Sequence, residues 1–187
     1  MIEEVLGSLE VSIEGIKKKY YGVVTGRVIN MLDPLALGRV QVQLPFIDSV
    51  DLSPWARVAV PMAGPLHGTY FIPNIGEEVL VAFEHGDFDH PFIVGFLWNG
   101  VDTPPESDPK NRVMVTPGGH TLRFEDGDGA KKVIVKSSNG HQIILDDAGT
   151  TVVVQLKGGG SINMTQDSLV LQHGHTITIT AQGIALA

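Results

Sequence analysis

From Tyr20 onward, apolar and polar residues alternate with a period of two, and short β-rich runs are punctuated by Gly, Pro and Asp turns. The runs cover residues 22–29, 38–44, 56–61, 68–72, 78–84 and 91–97. In Val40-Gln41-Val42-Gln43-Leu44 the alternation is strict, which puts one face of the strand in a core and the other in water. About five such strands within residues 20–100 predict a small OB-like barrel, because closing the sheet removes exposed edges.

Residues 101–112, rich in proline and charge and without periodicity, are expected to be a linker. Beyond it the chain repeats. Gly119-His120-Thr121-Leu122-Arg123-Phe124 returns as Gly140-His141-Gln142-Ile143-Ile144-Leu145, and Gly160-Ser161-Ile162-Asn163-Met164 keeps a degenerate version. Each repeat reads as two short strands around a Gly- or Asp-rich turn, so residues 113–187 predict a β-solenoid or an intertwined β-prism.

One face of these strands carries Leu122, Phe124, Val133, Val135, Ile143, Leu145, Val152, Val154, Leu156, Ile162, Met164, Leu169, Leu171, Ile177 and Ile179. The opposite face is expected to be mostly Thr, Lys, Arg, Asn and Gln. Too few coils are available for a single-chain solenoid to cover the stripe. Three copies, each forming one wall of a triangular prism, would bury all of it, at roughly 1.5–3 kcal/mol per large apolar side chain. The second half is therefore expected to be an intertwined triple-stranded β-helix, a needle that forms only in a homotrimer.

Ahead of the barrel, Ile2, Val5, Leu6, Leu9, Ile13 and Ile16 recur at three- and four-residue spacing, with Glu3 and Glu4 at the start and Lys17, Lys18 and Lys19 at the end. Residues 1–19 thus predict a short amphipathic helix or arm whose charges complement the helix dipole. The fold class is otherwise all-β.

With 43% apolar residues and a mean hydropathy of +0.14, the chain can bury a core. The absence of cysteine removes disulfides, thiolate zinc sites and cysteine nucleophiles. The net charge of −8 falls mostly before Val113 and argues against nucleic acid, even for an OB barrel bearing Tyr70, Phe71 and Trp98. After Lys157 the one charged residue is Asp167, so this stretch suits burial, pairing with its own copies or an apolar encounter. No apolar run is long enough to span a bilayer, and Met1-Ile2-Glu3-Glu4 lacks the basic start of a secretory signal. A soluble protein made in the cytoplasm without a signal peptide is expected.

The barrel segments form an ordered set: Tyr21-Gly22-Val23-Val24-Thr25-Gly26-Arg27-Val28, Asp33-Pro34 followed by Gly38-Arg39-Val40-Gln41-Val42, Trp55-Ala56-Arg57-Val58 with Pro61-Met62-Ala63-Gly64, Gly68-Thr69-Tyr70-Phe71-Ile72-Pro73, Gly76-Glu77-Glu78-Val79-Leu80-Val81-Ala82-Phe83, Gly86-Asp87, and Pro91-Phe92-Ile93-Val94-Gly95 ending in Asn99-Gly100. Followed by the Gly-His repeats, this set resembles the central spike of contractile injection machines, namely phage baseplate assembly protein V and the valine-glycine repeat spike of type VI secretion. The resemblance implies a homotrimer with an OB collar and a piercing needle. It implies a virion tail or extracellular injection particle as the location, a tail tube as neighbour, a target cell envelope, and in some systems a PAAR-type tip protein at the C-terminus. Larger members fuse a hub ahead of the barrel; here the hub would be a separate protein. A lysozyme domain found in some members between barrel and needle is replaced by the Pro-rich segment.

His173-Gly174-His175 is the sharpest chemical feature. Read as one strand, it puts both imidazoles on the face of Leu169, Leu171, Ile177 and Ile179. A trimer would then gather six imidazoles, a donor set for an octahedral ion such as iron, nickel or cobalt rather than zinc. The resemblance implies iron, one per trimer. His120 and His141 share the face of Leu122 and Ile143 and are expected to begin turns. His85 and His90, flanking Asp87 and Asp89, read as a polar hairpin turn rather than a metal cluster.

Catalytic readings are poor. The neighbouring carboxylates of Glu77-Glu78 and of Asp146-Asp147 point to opposite strand faces and cannot flank one glycosidic bond. Gly158-Gly159-Gly160 precedes a strand rather than a helix and makes no phosphate loop. The sequence therefore predicts a non-enzymatic, membrane-piercing spike, with a glycan- or surface-binding OB/β-solenoid module and a cell-wall hydrolase as the alternatives.

Overall fold

The computed structural model describes residues 19–46, 53–180 and 183–186; the helix or arm expected over 1–19 falls outside the described residues. Regular structure among them is entirely β apart from one 3-10 turn at Glu84–Gly86. The chain divides into two compact units, residues 1–103 and 104–187.

In the first unit the strands are β1 (Val23–Asn30), β2 (Gln41–Gln43), β3 (Arg57–Val58), the two-residue pair β4 (Ala63–Gly64) and β5 (His67–Gly68), β6 (Glu78–Phe83) and β7 (Pro91–Phe96). The main sheet runs β2-β1-β6-β7-β3, antiparallel except for the parallel β7–β3 pair. Its ends meet where Val40, just before β2, pairs with Ala56, just before β3, through N–H to O bonds of 3.0 and 2.8 Å. The five strands therefore close into the expected barrel.

Alternation explains the core: Val79, Val81 and Phe83 of β6 point inward with Val28, Val40, Val42, Leu44, Ala56 and Ile93. Packing is tight over Gly26, where a Cβ would lie 3.2 Å from both Leu44 Cδ2 and Val81 Cγ2. Ser53 is buried and usefully so, because its Oγ accepts the Val42 N–H at 2.8 Å.

The run at 68–72 does not form the expected strand. Gly68 ends the small β4–β5 pair with φ +152°, and Thr69 N–H is taken by Met62 O at 3.0 Å, so the segment that follows has no sheet edge to join. Tyr70 and Phe71 are left exposed. Apolar alternation marks a candidate strand but does not supply a partner.

The second unit is one antiparallel meander: β8 (Arg112–Val115), β9 (Thr121–Gly127), β10 (Ala130–Lys136), β11 (Gln142–Asp146), β12 (Thr151–Gln155), β13 (Ser161–Met164), β14 (Ser168–His173), β15 (His175–Thr180) and β16 (Gly183–Leu186), each paired with the next. The expected repeats are the hairpins β9–β10, β11–β12 and β13–β14. Their phase is corrected in the third copy. Gly119-His120 and Gly140-His141 correspond in turn geometry to Gly159-Gly160, because Thr116, Ser137 and Leu156 each donate N–H to the carbonyl of His120, His141 and Gly160. Glycine thus occupies the histidine position there.

The segment 104–111, read as part of a linker, carries its own hydrogen bonds. Glu106 Oε1 accepts the amides of Ser107 and Asp108 at 2.8 and 2.9 Å, while Oε2 meets Asn111 Nδ2 and the Arg123 guanidinium of β9.

Candidate interaction surface

The register of the second unit places the predicted apolar stripe on one face with no slip across all nine strands. One lane runs Met114, Leu122, Val135, Ile143, Val154, Ile162, Leu171, Ile177, Leu186, every neighbour directly opposite the last. The lane beside it runs Arg112, Phe124, Val133, Leu145, Val152, Met164, Leu169, Ile179, Ile184. Cross-strand pairs of this kind are the unit of sheet stabilisation, yet they cover only one another's flanks. Val135 stays 48% exposed, Ile143 45%, Leu145 43% and Met164 39%. A soluble monomer rarely leaves so continuous an apolar surface open, so the face is built for contact.

The opposite face differs from expectation. Its central lane is Val113, Arg123, Ile134, Ile144, Val153, Asn163, Val170, and it is bounded by the polar lane Thr121, Lys136, Gln142, Gln155, Ser161, Gln172. Polar residues are thus concentrated at the margin, and the middle row, Arg123 and Asn163 apart, is β-branched. Lys132 Nζ meets Asp146 Oδ2 at 2.9 Å near the far margin. The Asp146 carboxyl lies below its ordinary value because it accepts the Gly149 N–H and then because of Lys132.

The histidines sort into three environments. His120 and His141 lie in turns, as expected, immediately ahead of β9 and β11, and each Nδ1 accepts a backbone N–H, from Ser138 at 3.3 Å and Lys157 at 3.2 Å. His173 and His175 do not lie on one strand. They end β14 and start β15, directly opposite each other across Gly174 at φ +70°. His173 is exposed, and a Cβ on Gly160 would lie 3.1 Å from its Nδ1. His85 sits at φ +48° in the 3-10 turn, and His90 Nδ1 lies 3.6 Å from Asp87 Oδ2. No group of three or more metal-binding side chains occurs among the described residues of one chain.

The carboxylates elsewhere have structural partners. Glu77 accepts the Asn74 N–H at 3.0 Å and the Asn74 side-chain amide at 2.7 Å, while Glu78 borders a shallow open cleft with Thr25, Arg27 and Gln43. Gly158-Gly159-Gly160 forms the β12–β13 turn. Sequence reasoning missed the Asp33–Arg39 pair, closed by contacts of 2.9 and 2.7 Å, in which Asp33 also accepts the amides of Leu35, Leu37 and Arg39. The Arg39 side chain first, and these amides after it, hold the Asp33 carboxyl well below the usual carboxylate range. The turn signal Asp-Pro followed by Gly-Arg was its only trace in the sequence.

Residues 24–98 match the family described as the Type VI secretion system/phage-baseplate injector OB domain. The chain is 29% identical over 128 residues to the type VI secretion system spike protein VgrG3 of Vibrio cholerae, a stretch covering 62% of this chain and 13% of that protein. To the spike protein VgrG5 of Pseudomonas aeruginosa it is 35% identical over 127 residues, 60% of this chain and 16% of the relative, and to VgrG1a of the same species 33% over 110 residues, 52% and 17%. The matched stretch therefore spans less than a fifth of each of these curated relatives. The closed barrel with its closing Val40–Ala56 pair is thus the part of the chain that matches the injector OB domain, and the chain is similar to spike proteins of type VI secretion.

Proposed function

We infer that this chain is the non-enzymatic central spike of a contractile tail or injection-system baseplate, working as a homotrimer below a tail tube and hub and piercing the target envelope. One observation carries the reading: a nine-strand meander whose apolar lanes keep unbroken register and whose described side chains in those lanes stay part-exposed, in a chain whose residues 24–98 match the injector OB domain. Three such faces turned inward as an intertwined β-helix cover each other. Force along the needle is then resisted by shared register and burial, since no chain can unfold without exposing the other two. The single charge after Lys157 limits the desolvation cost of entering a membrane. Light scattering on the purified chain is expected to give the mass of three chains; a stable monomer with the face exposed overturns the reading.

The same arrangement suits a metal at His173 and His175. Their direct opposition at a hairpin tip gives each chain two adjacent ligand positions, and three chains give six nitrogens for one iron or another octahedral divalent ion. Such an ion would tie the three hairpins together. Elemental analysis is expected to find one metal per three chains, lost in the H173A/H175A double variant while the trimer persists. Metal-free protein from iron-replete expression overturns this assignment and leaves the spike reading intact.

A further inference from the structure

The spike reading leaves unexplained why histidine opens two successive repeats. Each hairpin of the meander is closed by a tight turn at one end only: Asp126 to Gly129 closes β9–β10, and Asp147 to Thr150 closes β11–β12. Their other ends diverge into different turns. Apolar lanes do not fix the pairing of these open ends, because a slip of two residues returns the same face pattern.

At both open ends an imidazole spans the gap. His120, immediately ahead of β9, receives the N–H of Ser138, in the turn that follows β10; His141, immediately ahead of β11, receives the N–H of Lys157, in the turn that follows β12. The backbones of the two histidines are held alike, since the His120 backbone N–H is taken by Thr116 Oγ1 at 3.1 Å and the His141 backbone N–H by Ser137 Oγ at 3.0 Å. A backbone N–H can only donate, so Nδ1 must be the accepting nitrogen and the proton of the neutral ring resides on Nε2. The arrangement occurs twice, 21 residues apart, with the same atoms in the same roles.

The geometry points to His120 and His141 as register keys, positioning residues that close the open end of each hairpin through Nδ1 and so hold consecutive turns along one edge in step. The third repeat has Gly160 in this position and no such bond, and there the ring of His173 packs over the space a side chain would fill. The series of keys ends where the His173–His175 hairpin begins.

The test uses the full chain and two independent readouts. Nitrogen NMR of histidine-labelled protein should show His120 and His141 as neutral rings protonated at Nε2; protonation at Nδ1 in either ring overturns the proposal even if every variant misfolds. Hydrogen exchange at the amides of Ser138 and Lys157 should accelerate roughly three- to tenfold in H120F and H141F, as loss of one neutral hydrogen bond implies. H141N, whose Oδ1 takes the place of Nδ1, should restore protection at Lys157. Equal exchange in wild type and both phenylalanine variants, or failure of asparagine where phenylalanine also fails, overturns the keying role.

Discussion

Asp33 and Glu106 perform one task in two places: a single carboxylate gathers the backbone amides of a segment that has no periodic structure. Asp33 ties down residues 35–39, and Glu106 ties down 107–111 while engaging Arg123. Hydrogen bonds from Asp108 and Ser107, aided by Asn111 and Arg123, lower the Glu106 carboxyl from 4.5 to about 2. A folded-state value below the unfolded one stabilises the fold at pH above the unfolded value, and that stabilisation is lost as pH falls through the folded one. Wild type should therefore lose protection of the amides of Ser107 and Asp108 as the pH falls from 4.5 to 2, by hydrogen exchange. The E106A variant, which has no side-chain acceptor, should lack that protection at neutral pH and show no further change over the same range. Equal protection in both proteins at neutral pH would remove Glu106 from this role.

At the scale of elements, the lanes convert side-chain parity into a prediction about which face is inside. Val154 and Gln155 are consecutive on β12 and point to opposite faces; Val154 stands between Ile143 and Ile162, Gln155 between Gln142 and Ser161. V154D should abolish the trimer by placing three carboxylates in one apolar core, whereas Q155D should leave the trimer mass unchanged. Size-exclusion chromatography with light scattering on the two variants decides the facing, and a stable V154D trimer would reverse it.

The same lanes show how far the sequence could be read. Alternation located β1, β2, β6 and β7 and the whole apolar stripe, because burial on one face writes itself into every second residue. It gave 68–72 as a strand because it does not report whether a partner edge exists. It read His173 and His175 as one strand, whereas they end β14 and begin β15: the same two-residue spacing occurs on a straight strand and across a one-residue turn at Gly174, so parity cannot separate the two. The hydrogen bonds of Glu106, Asp33 and the Gly-His turns left no periodic trace, since each joins one side chain to a particular turn.

For the whole molecule, the two units place opposite demands on assembly. The barrel core is complete within one chain: Val28, Val40, Val42, Leu44, Ala56, Val79, Val81 and Ile93 are almost fully buried, and the sheet has no free edge at the Val40–Ala56 closure. The meander of residues 104–187 leaves apolar side chains of its strands part-exposed, so under the trimer reading its stability depends on other copies. A chain ending at Thr103 should thus be soluble and unfold in one cooperative transition whose midpoint does not depend on protein concentration. The full chain should add a transition that moves upward with concentration, as unfolding coupled to dissociation requires. Calorimetry at two concentrations measures both. An aggregated 1–103 fragment would show that the barrel depends on the rest of the chain, and a concentration-independent second transition would show that the meander needs no partner.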